Sequence, residues 1–172
     1  MDTASRYDSY WRDRDEGRTR ARSRSRAFLA LRLLEEVARD TTASSPARLY
    51  EIGCGPGWAL EVFREAGFEV GGCDVSPAAV DRARELGLDV SCRDVENGPV
   101  ADAGQDVIVA LEVLEHLEEP LPVLREMCEA IPDWGRLVVS LPNEYHLVSR
   151  LAKLVGRSKP GGEDDPHLHH FE

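Results

Sequence analysis

Several acidic residues, three glycines and one histidine sit where they could handle a ligand. Glu51 stands just ahead of a turn in which Gly53, Gly55 and Gly57 alternate with other residues (EIGCGPG). Glycines there free the backbone to take positive φ and to approach a ligand closely. Asp74 closes the next apolar stretch (GGCDVSP), and Asp94 the one after it (SCRDVEN). A carboxylate before the turn can accept hydrogen bonds from an ammonium group, which a pyrophosphate would not want. Asp74 can accept two hydrogen bonds from ribose hydroxyls. Asp94 can read an exocyclic amine of adenine or, equally, hold a local turn. The dinucleotide fingerprint G-x-G-x-x-G fails, because the sixth position from Gly53 is Trp58.

A second cluster follows the apolar run DVIVAL, where Glu112, Glu115 and His116 form E-x-x-E-H. If a helical turn starts at Glu112, the three share one face. Two carboxylates and an imidazole suit a divalent cation. Alternatively, His116, helped by Glu115, is a general base that takes a proton from an acceptor hydroxyl. The plainer reading is that these residues shape the loop and position its backbone.

These groups need a scaffold that brings distant turns together. Strands are predicted near 48–52, 69–73, 88–92, 106–111 and 136–141, and helices near 58–66, 77–86, 119–131 and 143–155. Gly67 and Gly87 stand where helices should end, and Ser76-Pro77 is a strong helix start. Such alternation implies an α/β doubly wound parallel sheet with helices on both faces. Residues 1–46 read as an N-terminal helical arm and 47–172 as the core. In the arm, Phe28, Leu31, Leu34 and Val37, with Leu29 and Leu33 beside them, have helical spacing into Asp40. Arginines at 18, 20, 22, 24 and 26 spread around that helix and read as a solvated face.

The chain of 172 residues carries a net charge of −11, which argues against a general nucleic-acid-binding surface. No apolar run is long enough for a membrane span, and no signal segment is evident, so a cytoplasmic location is the expectation. Cys54, Cys73, Cys92 and Cys128 show no C-x-x-C pairing and read as buried, reduced thiols.

At this point the sequence resembles the class I S-adenosylmethionine-dependent methyltransferases. EIGCGPG matches their first motif, CDVSP the second, RDVE the third and DVIVALEVLEHLEEP the fourth. The resemblance implies a Rossmann-like sheet and S-adenosyl-L-methionine as cofactor. It places Gly53, Gly55 and Gly57 against the methionine part, with Glu51 near the amino group. Asp74 with Val75 would hold the ribose, and Asp94 with Val95 would flank the adenine. Leu111 and Tyr10 complete the implied cofactor set, and Tyr7, Tyr10 and Trp11 look like the arm that covers the cofactor.

The implied activity is O-methylation of a small-molecule acceptor, as in the ubiquinone-pathway enzymes that share E-x-x-E-H. Small-RNA 2′-O-methyltransferases are similar at this motif, and there Glu112, Glu115, His116 and His167 would bind a metal. The stretch LPNEYHLVSRLAKLVGRSKPGG with the late HLHHF resembles MetW-type proteins, some of which act as partners of a homoserine O-acyltransferase. Positioning ranks ahead of acid–base catalysis for Glu115 and His116, because a sulfonium already activates the methyl group. The family's closing strand pair is missing after the fifth strand. The expectation is a fragment or shortened gene whose exposed sheet edge invites a protein partner or a second copy.

Overall fold

The structure is a computed structural model that describes residues 7, 11, 16–34, 46–102 and 104–142. Its centre is a five-stranded parallel sheet in the order β3-β2-β1-β4-β5. The strands are β1 (Arg48–Ile52), β2 (Glu69–Asp74), β3 (Asp89–Cys92), β4 (Val107–Leu111) and β5 (Arg136–Ser140). Each matches its predicted stretch to within a residue or so. β1 and β4 are buried on both faces, which explains their near-continuous apolar runs. In register, Glu51 lies between Gly72 of β2 and Val109 of β4.

The period of two along each strand sorts the core into two layers. Leu49, Val107 and Val109 face α1 (Glu16–Leu33), α2 (Trp58–Glu65) and α3 (Pro77–Glu85). Tyr50, Ile52, Ile108 and Ala110 face the side covered by α4 (Pro120–Glu129), where Val123 and Met127 pack. The sheet is thus doubly wound. Phe63 of α2 is fully buried, and its truncation to alanine would cost about 3–5 kcal/mol.

Local chemistry fixes where these helices begin. The Ser76 hydroxyl accepts from the Ala79 amide at 3.3 Å, and Pro77 opens α3 with its φ already set. α2 starts from Gly57 in a left-handed conformation, φ 81°.

α1 keeps part of its predicted packing. Leu31 and Leu34 pack on the core as their spacing implies, but Ala27 and Ala30 complete the buried face, whereas Phe28, Leu29 and Leu33 are 52%, 62% and 73% exposed. Small alanines let the helix backbone approach the sheet closely, so these three bulky residues turn outward. Val37 lies outside the described residues. The arginines are also not a uniformly solvated face. Arg20 pairs with Glu61 at 3.1 Å and Arg24 with Glu65 at 3.3 Å, tying α1 alongside α2.

Two of the four cysteines correct the buried-thiol expectation. Cys54 and Cys73 are buried, but Cys92, on the edge strand β3, and Cys128, on the outer side of α4, are exposed; all are free. No helix among the described residues is long and apolar enough to cross a membrane. The predicted helix over 143–155, the HLHHF segment with His167, and Tyr10 lie outside the described residues.

Candidate active site

The residues singled out in the sequence gather at the carboxyl ends of β1, β2 and β4, where an α/β sheet leaves a crevice. β1 runs into a turn with Gly53 at φ 66° and Gly55 at φ 53°, a region that disfavours side chains. A Cβ on Gly53 would lie 2.5 Å from Val113 Cγ2, and one on Gly55 would lie 2.7 Å from the Trp11 ring. Gly57 serves packing instead. It does not line the cavity, and a Cβ there would run into Leu88 and Ala83 of the α3 region.

Asp74 stitches the turn to the next helix. Its Oδ2 accepts from the Gly55 amide at 2.8 Å and its Oδ1 from the Ser76 amide at 2.9 Å. Burial raises its pKa, opposed by the Ser76, Gly55 and Val75 amides. Glu51, 3% exposed, lacks such support, and its Oε2 has no hydrogen-bond partner. Burial first, and then the Asp74 carboxylate, push the Glu51 carboxyl well above the usual range.

Between these groups opens a cavity of about 400 Å3. Glu51, Gly53, Gly55, Asp74 and Val75 line one side of it, and Asp94 and Val95 extend that wall. Leu111, Glu115 and His116 also line it, as do Tyr7, Trp11 and residues of α1. Trp11 meets Trp58 edge to face at 5.9 Å, and its carbonyl accepts from Arg82 Nη1 at 3.3 Å. Asp94 also holds the turn after β3, accepting from the Glu96 amide at 3.0 Å and from Asn97 Nδ2 at 2.8 Å.

E-x-x-E-H is built differently from the expected helical face. Glu112 takes φ 58°, the one positive φ outside glycine among the described residues, and the turn that follows is a short 3-10 segment over Leu114–His116. Four contacts hold this kink. The Glu112 amide donates to the Ser140 carbonyl at 3.1 Å and to its Oγ at 3.1 Å. The Glu112 carboxylate accepts from Ser140 Oγ at 3.0 Å and from Arg26 Nη2 at 2.9 Å. The kink carries Val113 onto Gly53 and turns Glu115 inward.

Glu115 is fully buried, and neither carboxylate oxygen has a hydrogen-bond partner. Burial pushes its pKa up to about 7; nearby Glu112 adds to the rise and Arg26 opposes it. Its Oε1 lies 3.9 Å from His116 Nε2, and Tyr7 meets the imidazole edge to face at 5.9 Å. Glu112 is thus drawn toward Arg26 while Glu115 and His116 stay together. No three His, Cys, Asp or Glu side chains among the described residues are grouped to hold a metal ion.

Sequence reasoning did not find Thr19, Arg22, Ser23 and Arg26 of α1 or Arg93, all in the cavity lining. A signal existed for the helix: positions 19, 22, 23 and 26 share one face at helical spacing. It was masked by arginines at every second position.

The sequence matches the family described as "Methyltransferase domain" over residues 16–171. The ubiquinone biosynthesis O-methyltransferase of Ruegeria pomeroyi is 30% identical over 151 residues, covering 80% of this chain and 61% of the relative. This chain therefore spans about three-fifths of that protein's length. The plantazolicin methyltransferase BpumL, solved in complex with SAH, superposes with a TM-score of 0.64 at 20% identity, covering 92% of this chain and 63% of that one. An S-adenosylmethionine-dependent methyltransferase from Mesorhizobium loti gives 0.54 at 23% identity, covering 60% and 50%. At these identities the structural likeness is one of fold.

Proposed function

Because the chain belongs to the class I S-adenosylmethionine-dependent methyltransferases, we propose that its cavity binds S-adenosyl-L-methionine and that the protein methylates an oxygen of a small-molecule acceptor. The observation that carries this reading is the unpartnered Glu51 Oε2 beside the Cβ-free turn. A buried, unpaired carboxylate is costly unless a cation completes it. The α-ammonium of the cofactor is such a cation. Asp74 Oδ2 holds the Gly55 amide and Oδ1 the Ser76 amide, and the carboxylate keeps acceptor capacity for a ribose hydroxyl. Val75 and Val95, both in the cavity lining, offer apolar surface to a purine.

When bound, the cofactor supplies a methyl group on a sulfonium, already an electrophile. The chain's residues then have to position the acceptor and manage one proton. His116, in the cavity lining, would accept the proton that the acceptor's hydroxyl gives up on methylation. Glu115, 3.9 Å from Nε2, stabilises the imidazolium, and Tyr7 holds the ring plane. Trp11, packed over Gly55, keeps water from the turn.

Oxygen as the acceptor atom rests on the likeness to O-methyltransferases of ubiquinone biosynthesis. The same likeness to bacterial small-molecule enzymes supports a cytoplasmic setting. The reading is tested by titrating the protein with S-adenosylhomocysteine, comparing wild type with Glu51→Gln and Asp74→Asn. Retained affinity in both variants would contradict it.

A further inference from the structure

The cavity lining contains three arginines, Arg22, Arg26 and Arg93. Two are already neutralised: Arg26 by Glu112 at 2.9 Å and Arg93 by Asp102 at 3.2 Å. On α1, Arg20 and Arg24 are also paired, with Glu61 and Glu65. Arg22 differs. Among the described residues no carboxylate stands against it, although it borders a cavity in which Glu51, Asp74 and Glu115 are buried. A guanidinium kept beside a ligand cavity without an internal anion is available to an anion on the ligand.

Its place along α1 sets it apart from Arg26. Glu51 and Gly53 mark the amino-acid end of the donor site in the proposed function. Val113 packs on Gly53, Glu112 adjoins Val113, and Arg26 reaches Glu112. That chain of contacts brings Arg26 level with the donor's amino-acid end. Arg22 is one helical turn further toward the N-terminus of α1, roughly 5–6 Å along the axis. Thr19 and Ser23 of the same face border the cavity beside it.

We infer that Arg22 is a specificity residue for the acceptor, and that the acceptor is a hydroxylated compound carrying a carboxylate. The inference rests on the proposed function for the identity of the donor site. Arg22 binds the carboxylate in a bidentate fork, and the hydroxyl to be methylated is directed toward His116. The aromatic groups of Tyr7, Trp11 and Trp58 along the cavity suit a planar ring between the two.

The test titrates the protein, saturated with S-adenosylhomocysteine, with hydroxybenzoic and aliphatic hydroxy acids and with the matching amides. Wild type should prefer at least one acid over its amide by about tenfold, the scale of a charge-assisted hydrogen bond. Arg22→Leu should erase that preference, Arg22→Lys should restore part of it, and Arg20→Gln should leave it unchanged. Acids and amides binding alike to wild type would overturn the inference. So would Arg22→Leu weakening S-adenosylhomocysteine itself while leaving the acid preference intact, which would assign the arginine to the donor. Failure of wild type to bind S-adenosylhomocysteine would sink the proposed function instead, and the acid–amide comparison would still be read on the free cavity.

Discussion

The Gly55 amide donates to Asp74 Oδ2 at 2.8 Å, joining the glycine turn after β1 to the end of β2. The other oxygen of the same carboxylate receives the Ser76 amide at 2.9 Å, so one side chain fixes both the turn and the start of α3. Removing it leaves two amides without their acceptor. Asp74→Ala should therefore lower stability by about 2–3 kcal/mol, as read by urea unfolding, the scale of losing hydrogen bonds to a charged group. Loss of less than about 0.5 kcal/mol would show that the turn holds its shape without Asp74.

Gly53 and Val113 form a second coupled pair. Gly53→Ala meets two penalties, a left-handed φ of 66° and a clash with Val113 Cγ2 at 2.5 Å. The first costs about 1–2 kcal/mol and persists whatever Val113 becomes. The second should vanish in Gly53→Ala/Val113→Ala. A double-mutant cycle should return a favourable coupling of at least about 1 kcal/mol, and simple additivity would contradict this packing.

Glu115 should make stability depend on pH with a definite sign. Its pKa in the fold, raised by burial to about 7, stands above the unfolded value of about 4.3. The proton's contribution to stability is complete below about pH 4.3 and is lost as pH rises through about 7. Glu115→Gln carries no such loss. The variant should gain on wild type across that window by on the order of 3 kcal/mol, then run parallel above it. Denaturant melts at pH 5 and pH 8 provide the comparison; an equal difference at both would show that Glu115 does not titrate there.

Glu51 should report its ligand through protons. Burial, and then Asp74, hold its carboxyl well above the usual range in the free protein. An ammonium group docking beside it favours the ionised form, and binding should release protons and strengthen as pH rises. Calorimetry with S-adenosylhomocysteine in buffers of different ionisation enthalpy should detect the release. Glu51→Gln should abolish it. Unchanged release in the variant would place the titrating group elsewhere.

The fold and much of the cavity wall were legible from local signals. Glu51, Asp74 and Asp94 each end or follow an apolar strand, and strand ends in a parallel sheet converge on one crevice. Ser76-Pro77 and the glycines set helix boundaries by backbone chemistry alone. What was not legible depended on long-range contacts. The kink at Glu112 is held by Ser140 and Arg26, 28 and 86 residues away in sequence. No local propensity announces a glutamate at positive φ, so a regular helical turn was the natural expectation. On α1 the spacing found Leu31 and Leu34 but not the alanines, because alanine contributes little to an apolar pattern, yet Ala27 and Ala30 allow the close approach that leaves Phe28, Leu29 and Leu33 outside.

The most direct test of the central claim is calorimetric titration of S-adenosylhomocysteine into wild type, Glu51→Gln and Asp74→Asn at neutral pH. The arrangement of Glu51, the glycine turn and Asp74 predicts saturable one-to-one binding to wild type. Each variant, checked for folding by circular dichroism, should bind at least about tenfold more weakly, the scale of one lost charge-assisted contact. No binding by folded wild type, or undiminished affinity in both variants, would contradict it.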